Sequence, residues 1–512
     1  MSKQMSKNRQ MSVNMISSFI ALAVNFCISF FLTPYVVRKL GVDSYGFLGL
    51  SSDIIGYTSL ITIALNSMAG RFITIKYQEG NVEEANKYFS SVFFSNLVLS
   101  VVILVILSIA LIFIESLFKI PSHLVMDVKI LFGLSILTTI ASLLTNVFAI
   151  ATFIKNRLDL SSIRQIIGNI IRAALIILLF GFLPARLWYY GAVGVVVTLY
   201  ITITNLKFTK DLTPELHLDI RNYEWSKVKE LLSAGVWNLF SRLGDILGRG
   251  MDLLIANLCI GAVEMGLFAI TRNVPFLILS LFQTISAVFA PVLTIAYAKK
   301  DFGELMSEFN KSIRILCVFT AIPLVCLYIY GDSFYSLWMP NEDSSKLQLI
   351  TILGTLALPF TLPLETLWNI FTITNRLKYS TIFTLSTNVL VFAIVMSSMF
   401  IFESHEARLL VLASTRSICG LVRGLVFLPI YGAHCLGLKK RYFYGMIIKS
   451  TLCITVCFGV GLLVRLFYIP SDWVGFIIAC AVLSIICITV NSIIILSKDD
   501  RIFIRTKILH LK

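Results

Sequence analysis

Long apolar runs, separated by short polar segments, follow one another along almost the whole chain. A helix needs about 20 residues to cross a bilayer, and the runs reach this length, whereas the strands of a membrane barrel would be short and alternating. The pattern therefore predicts an all-α polytopic membrane protein. Its fourteen predicted spans are approximately residues 12–37, 45–70, 88–114, 126–152, 160–182, 185–206, 231–260, 264–297, 311–331, 346–374, 379–402, 407–432, 443–467 and 472–496.

Composition and charge agree with this class. Of the 512 residues, 57% are hydrophobic and 14% are charged, whereas about a quarter of the residues in a soluble domain are charged. The net charge of +15 does not indicate a nucleic-acid partner, because 27 basic residues fall in the polar segments on one side of the predicted membrane and eight on the other. This asymmetry predicts that both termini are cytoplasmic.

The chain also contains an internal repeat. GVDSYG at 41–46 and GAVEMG at 261–266 lie 220 residues apart, and TIKY at 74–77 matches TIAY at 294–297 at the same offset. NRLDLSSI at 156–163 matches NRLKYSTI at 375–382 at an offset of 219. Six predicted spans separate the copies, so both copies have the same orientation, which predicts a parallel pseudo-twofold repeat.

The repeat predicts the domain organisation. Two six-helix bundles should face each other about an axis along the membrane normal, with the substrate path between them. The predicted parts are an N-terminal bundle at 1–206, a cytoplasmic linker with a short amphipathic helix at 207–230, a second bundle at 231–438, and two additional spans with a basic tail at 439–512.

The stretch SRLGDILGRGMD, residues 241–252, places four charges inside the seventh predicted span. At 3.6 residues per turn these charges fall within about 80° of arc on one helix face. They are Arg242, Asp245, Arg249 and Asp252. In the repeat, Asp245 aligns with Asn25, which belongs to a stripe of small and polar residues on the first span. We expect both faces to line one shared cavity.

Further charges lie inside other spans, namely Arg172, Arg272, Arg416 and Arg423, with the acids Asp53 and Glu365. Each charge costs at least about 2.5 kcal/mol at the membrane centre, so we expect these groups to face water, one another or a ligand. Six arginines against four acids predict a substrate cavity that favours anions, since the guanidinium fork suits phosphate and carboxylate. The acids would neutralise the arginines or couple a transported ion.

A simpler alternative stays open for the seventh span. Arg242 with Asp245, and Arg249 with Asp252, have the spacing of neighbours on a helix, and charges inside membranes commonly pair. Such pairs would only hold helices together. This reading explains the four arginines on other spans less well, because they have no acidic neighbour along their own helix.

Other classes of chemistry lack their usual residues. The five histidines fall in loops or near the ends of spans, no Walker motif is present, and no two of the ten cysteines form Cys-x-x-Cys. The sequence therefore predicts no catalytic residue, no metal site and no cofactor. Pro275 is predicted to kink the eighth span near Arg272, and Pro359 with Pro363 the tenth span near Glu365; such kinks would act as hinges for alternating access.

Two stretches carry a family resemblance, together with the spans and the repeat. FFLTPYVVRKLGVDSYGFLGL (30–50) and NSMAGRFITIKYQEGNVEEANKYFSSVF (66–93) resemble Wzx-type polysaccharide flippases. These belong to the MOP exporter superfamily, which also contains the MATE drug exporters and the lipid II flippase. The resemblance implies two bundles that alternate between inward-open and outward-open states.

The resemblance also implies a substrate and a location. The substrate would be an undecaprenyl-pyrophosphate-linked oligosaccharide repeat unit, as in O-antigen (lipopolysaccharide) or capsule synthesis. It would move from the cytoplasmic to the outer leaflet of the bacterial cytoplasmic membrane. Expected partners are this lipid-linked oligosaccharide, membrane lipids, and a polysaccharide polymerase with its glycosyltransferases.

Three other functions are weighed against this one. A MATE-type exporter of organic cations should have a cavity dominated by acids, although Asp53 or Glu365 could couple Na⁺ or H⁺. The lipid II flippase carries arginines in its first span, where this chain has Asn25 between two serines. A membrane polymerase would need a sizeable outer loop, and the predicted outer loops are short.

Overall fold

The computed structural model describes residues 7–374 and 376–496. All regular structure in this part of the chain is helical. Thirteen of the described helices are long and apolar enough to cross a membrane. The one predicted span that is not among these thirteen is the seventh, 231–260. It is helical too, but it carries the four charges of 241–252.

The first seven spans are labelled α1 to α7. Their bounds are α1 Lys7–Leu40, α2 Val42–Gln78, α3 Val82–Ile112, α4 Val125–Thr145 continued by the 3-10 turn Asn146–Ala149 and by Ile150–Ile154, α5 Leu158–Phe182, α6 Trp188–Leu212, and α7 Trp225–Asp245 continued by π-helical Ile246–Gly250, by Asp252–Ile255 and by π-helical Ala256–Ile260. Short helical turns at Ile114–Leu117, Ser122–Leu124 and Ile220–Asn222 lie between them.

The remaining spans are α8 to α14. Their bounds are α8 Ala262–Thr271 and Asn273–Ala298, α9 Phe302–Trp338, α10 Ser344–Thr355 with Leu358–Thr361, the 3-10 turn Leu362–Leu364 and Leu367–Ile373, α11 Leu377–Ile401, α12 His405–Val422 with π-helical Arg423–Phe427 and Leu428–Cys435, α13 Tyr444–Phe467, and α14 Trp473–Ile494.

The helix boundaries repeat at the predicted offsets. α2 begins at Val42 and α8 at Ala262, which is 220 residues later. α3 and α9 both begin after an N-cap side chain: the Asn81 carboxamide oxygen accepts from the Glu84 amide at 3.1 Å, and the Asp301 carboxylate accepts from the Glu304 amide at 2.9 Å. Because an N-cap side chain satisfies an otherwise open backbone donor, these two residues fix equivalent helix starts.

The prolines interrupt the spans as predicted. α8 is broken at Arg272, since Pro275 has no N–H to donate to the carbonyl four residues earlier. α10 is broken into short segments around Pro359 and Pro363. Both helices are therefore interrupted where the kinks were predicted.

The chain divides into two compact units between Gly266 and Leu267. This boundary differs from the predicted linker at 207–230. α7 belongs to the first unit because it packs along α2 and also contacts α3. The bundle boundaries drawn from the repeat stay a prediction. In the structure, the first seven helices belong to one compact unit.

The separate amphipathic helix predicted at 207–230 is not a distinct element of the described chain. α6 continues to Leu212 and α7 begins at Trp225, which leaves a connection holding a single 3-10 turn. This connection is fastened to α3: Asn86 donates to the Glu215 carbonyl at 2.9 Å and accepts from the His217 amide at 2.9 Å. The Tyr77 hydroxyl donates to the Glu215 carboxylate at 2.7 Å, which lowers the pKa of Glu215.

The second unit is built around α9. α8, α10, α13 and α14 all pack on α9, and α12 packs on α10 and α11. The core contains buried side chains such as Phe309 and Leu324. α13 is attached to α9 by an ion pair between Arg465 and Asp332, and α14 by the Asn491 carboxamide, which donates to the Val318 carbonyl at 2.8 Å.

Glycines allow α2 and α7 to approach closely. A Cβ atom added at Gly235 would overlap the Ala64 carbonyl, and one added at Gly266, near the start of α8, would overlap the Val42 carbonyl. Gly46, the repeat equivalent of Gly266, would place a Cβ atom 3.0 Å from the Gly266 nitrogen. The second glycine of each repeated motif therefore serves one backbone crossing in the first unit, as small residues do at membrane helix contacts.

We expect Gly235→Ala to destabilise the protein. Alanine normally stabilises a helix relative to glycine by about 0.5–1 kcal/mol, but here its methyl group meets backbone, and overpacking costs about 1–3 kcal/mol. The check is the apparent melting temperature of the purified protein in detergent. Gly70→Ala on α2 is the matched control, because nothing lies within 4 Å of a Cβ at Gly70. Equal melting temperatures for both variants would contradict the close contact.

Candidate functional site

Arg242 is held by α2. Its Nε donates to the Ser59 hydroxyl at 2.8 Å, and its Nη2 lies 3.4 Å from the Gly56 carbonyl oxygen. Gly56 and Ser59 are three residues apart on a helix, so both face the same side. The side chain of Arg242 is half-buried. The guanidinium of Arg242 therefore has polar partners on a neighbouring helix.

The helix that carries Arg242 widens into π-helical turns just after it. The first, Ile246–Gly250, contains the backbone of Arg249, whose side chain lies outside the described part of the structure. The Tyr57 hydroxyl of α2 donates to the Gly250 carbonyl at 2.6 Å. π-helical turns often occur at functional sites. The apolar pattern of this span predicted a regular α-helix, and neither π-helical turn was expected.

The acidic residues predicted around these arginines differ in how far they are buried. Asp252 is buried, and Asp53 and Asp245 are half-buried. All three belong to the first unit, Asp53 on α2 and the other two on α7. The pairing of Arg242 with Asp245 and of Arg249 with Asp252 stays a prediction.

Asn25 belongs to a polar ladder between α1 and α5. Its carboxamide oxygen accepts from Asn169 at 3.2 Å, and further along the same contact the Ser18 and Ser162 hydroxyls lie 3.3 Å apart. Arg172 follows Asn169 by three residues, which places it on the same face of α5, and it is half-buried. The structure thus places Asn25 and Arg172 on one seam of the first unit.

The repeated NRL motif closes one end of this ladder. Asp159 is buried and accepts from the Arg157 guanidinium at 2.9 Å and from Gln10 at 3.0 Å, while its amide donates to Asn14. The Asp159 carboxylate raises the pKa of Arg157. In the second copy, Arg376 donates to the backbone carbonyl of His434 at 3.2 Å instead. The motif therefore fixes the start of α5 and of α11 with different partners.

The arginines of the second unit lie at irregular points of their helices. Arg272 occupies the break in α8, and Arg423 opens the π-helical turn of α12. Arg416 lies two turns earlier on α12, and its Nε and Nη2 atoms are buried, as is Nε of Arg423. Glu365 is buried on α10, directly after the 3-10 turn that contains Pro363.

Glycines bring α12 against α10 near these arginines. A Cβ atom at Gly420 would lie 2.8 Å from that of Ala357, and one at Gly424 would lie 3.0 Å from that of Phe360. Gly420 and Gly424 have the small-xxx-small spacing that lets membrane helices approach. In the sequence, Arg416 lies four residues before Gly420, and Arg423 lies between the two glycines.

The first unit contains an open cavity of about 420 Å³ that the sequence analysis did not predict. Its walls come from α2, α3, α4 and α6. The lining residues are Ile55, Gly56, Thr58, Ser59, Thr62, Ile103, Thr138, Thr139, Ser142, Leu143, Asn146 and Thr198. The sequence feature that could have indicated this cavity is the recurrence of Ser and Thr at helical spacing on α2 and α4. The lining contains no charged side chain, but Gly56 and Ser59 are the partners of Arg242.

The fold is that of a polytopic α-helical membrane protein. The chain belongs to the polysaccharide biosynthesis protein family, whose model matches residues 35–337. Both statements agree with the resemblance drawn from residues 30–50 and 66–93.

Individual proteins are similar to this chain in sequence or in fold. The chain is 28% identical to the uncharacterized membrane protein EpsK of Bacillus subtilis (strain 168) over 501 residues, which is 96% of each chain. It is similar in structure to the lipid II flippase MurJ in an inward closed conformation, with a TM-score of 0.65, 15% identity, and coverage of 96% of this chain and 98% of that one. An inward-facing multidrug resistance MATE family transporter of the MOP superfamily matches with a TM-score of 0.62 and 14% identity, covering 82% of this chain and 98% of that one.

We expect Ser59→Ala to destabilise the α2–α7 contact. The variant removes the acceptor of a hydrogen bond from a charged donor, which is worth about 1.5–3 kcal/mol. Ser67→Ala is the matched control, since Ser67 accepts an exposed bond from the neutral Asn238 of α7 at 2.9 Å. Melting curves should show the larger loss for Ser59→Ala, and the loss should shrink in an Arg242→Gln background. An undiminished loss in that background would show that Ser59 acts independently of Arg242.

Proposed function

We propose that the protein is a flippase for an undecaprenyl-pyrophosphate-linked oligosaccharide. It moves this repeat unit from the cytoplasmic to the outer leaflet of a bacterial cytoplasmic membrane by alternating access. The family assignment supports a role in polysaccharide synthesis. The observation that carries the proposal is the guanidinium of Arg242, which the Ser59 hydroxyl and the Gly56 carbonyl hold against α2.

The proposed ligand explains why arginines occur inside the spans. Placing an arginine inside a membrane costs free energy, and a helix bundle can pack without one. An arginine inside a span therefore indicates a functional site by default. A guanidinium can bind two phosphate oxygens through two parallel N–H donors of a rigid fork, a geometry that lysine lacks. The proposed contacts to the pyrophosphate and to acidic sugars are Arg172, Arg242, Arg249, Arg272, Arg416 and Arg423, with Asn25 as a neutral contact.

The acids have a different proposed role. Asp53, Asp245 and Asp252 partly neutralise the arginines of the first unit, and Glu365 couples transport to Na⁺ or H⁺. With both termini in the cytoplasm, the protein would receive its substrate from glycosyltransferases on that side and deliver it to a polymerase on the other. This orientation follows from the distribution of Lys and Arg along the sequence.

We expect Arg416→Gln to reduce flipping about 10- to 100-fold. The estimate follows from the loss of a charge-assisted hydrogen bond to the substrate. Arg416→Lys should recover only part of the rate, because it restores charge without the fork. The assay reconstitutes the protein in liposomes with the lipid-linked oligosaccharide and follows glycan that becomes accessible on the opposite side.

Arg408→Gln is the control for this series. Arg408 lies near the start of the same helix, where its Nε donates to the Phe402 carbonyl at 2.6 Å. We expect this variant to flip at the rate of the wild type once both are normalised for protein in the liposomes. Equal rates for the wild type and Arg416→Gln would remove Arg416 from the substrate path.

Glu365 offers a test of ion coupling. If it binds the coupling ion, wild-type flipping falls when Na⁺ is omitted or the proton gradient is collapsed. Glu365→Gln should then flip slowly under all conditions and respond to neither ion. Asp43→Asn is the control, since Asp43 lies in the first turn of α2 and outside the deep part of the spans. A wild-type rate that ignores both ions would exclude this role for the carboxylate.

The MATE fold match gives the second candidate, a cation-coupled drug exporter. The sequence identity to that transporter is 14%, so the match shows a shared fold and nothing about the substrate. Export of cationic drugs by cells that express the protein, with no flipping of the lipid-linked glycan by the reconstituted protein, would favour this candidate over the flippase.

A further inference from the structure

We propose that the cavity within the first unit is a sugar-binding subsite. This proposal rests on the flippase function and names the part of the substrate that the cavity receives. A volume of about 420 Å³ lies within the range of ligand pockets, about 300–1,000 Å³. The cavity is formed within a single unit, by α2, α3, α4 and α6.

The chemistry of the walls suits a neutral polyol. Seven lining side chains carry a hydroxyl and one a carboxamide, and none of the lining residues is charged or aromatic. An organic cation would be matched by carboxylates or aromatic rings, and an anion by basic groups on the wall itself. Hydroxyl and carboxamide groups both donate and accept hydrogen bonds, as the hydroxyls of a sugar do.

The polar side chains of the lining divide into two sets by their bonding. Thr58 donates to the Ile55 carbonyl at 2.7 Å, and Thr138 and Thr139 each donate to the Ser135 carbonyl at 2.8 Å. Their protons are directed at their own helices, so these hydroxyls offer lone pairs to a ligand that donates. Sugar hydroxyls are such donors.

Ser142, Asn146 and Thr198 form the second set. Their side chains make no hydrogen bond within residues 7–374 and 376–496. Ser142 and Asn146 are exposed and one turn apart on α4, at the point where the α-helix changes to the 3-10 turn Asn146–Ala149. Thr198 comes from α6. These three groups can both donate to and accept from the ring oxygens and hydroxyls of a sugar.

A charged group lies beside this neutral cavity. Arg242 donates to Ser59 and lies within hydrogen-bond distance of the Gly56 carbonyl, and both of these residues line the cavity. The first unit thus places one guanidinium next to a hydroxyl-lined cavity. In a lipid-linked glycan, the phosphate is likewise next to the first sugar.

The test measures binding of two probes to the full-length protein in detergent. One probe is undecaprenyl pyrophosphate, and the other is undecaprenyl pyrophosphate that carries the oligosaccharide. The variant Ser142→Ala/Asn146→Ala/Thr198→Val should bind the glycan-bearing probe about tenfold or more weakly, since it loses several neutral hydrogen bonds. Its affinity for the sugar-free probe should not change.

Thr204→Val is the matched control. Thr204 lies on α6 outside the cavity, and its hydroxyl donates to the Tyr200 carbonyl at 2.9 Å. This variant should bind both probes like the wild type. A melting curve for each variant separates weak binding from loss of the fold, and Ser142→Ala alone, with a smaller expected loss, serves if the triple variant does not fold.

The outcomes separate the two proposals. If the wild type binds both probes equally tightly, or if the triple and single variants both keep wild-type affinity for the glycan-bearing probe, the subsite is wrong and the flippase proposal stands. If the wild type binds neither probe, the proposed function itself is wrong. A selective loss for the glycan-bearing probe supports the subsite.

Discussion

The bonding of Arg242 to α2 is the constraint on which much of the first unit depends. A guanidinium packed between the helices of a membrane protein is costly unless polar groups of the protein bond to it. Ser59 and Gly56 provide these partners only because α7 approaches α2 closely. That approach requires glycine at Gly235, where a Cβ atom would overlap the Ala64 carbonyl. The charge and the glycine are therefore two parts of one arrangement, and α7 packs as a member of the first unit.

Much of the fold could be predicted because its signals are local. Long apolar runs give the spans, Asn81 and Asp301 cap equivalent helices, and Pro275 and Pro363 break others. Each of these effects depends on a few neighbouring residues, so it can be read from the sequence. The parallel repeat follows from the same kind of evidence, since equivalent helices begin 220 residues apart.

The candidate site could be predicted only in part, because its geometry depends on contacts between distant residues. The intramembrane arginines are visible in the sequence, but the partners of Arg242 lie more than 180 positions away. The π-helical turn at Ile246–Gly250 has no local sequence signal, and Thr139 looks like any other helical threonine. Only packing shows that Thr139 and Ser142 face one cavity with residues from α2 and α6. The grouping of α7 with α2 was missed for the same reason.

A neutral cavity beside a guanidinium would divide recognition into two parts with different strengths. Arginine binds a phosphate strongly, but it does so whatever glycan the phosphate carries. Neutral hydrogen bonds contribute about 0.5–1.5 kcal/mol each, and they depend on the positions of individual hydroxyls. A transporter must also release its cargo, and many weak bonds are lost more easily than a few buried ion pairs. Selectivity from Ser142, Asn146 and Thr198, together with attraction from arginines, would therefore allow discrimination between glycans without retention of the substrate.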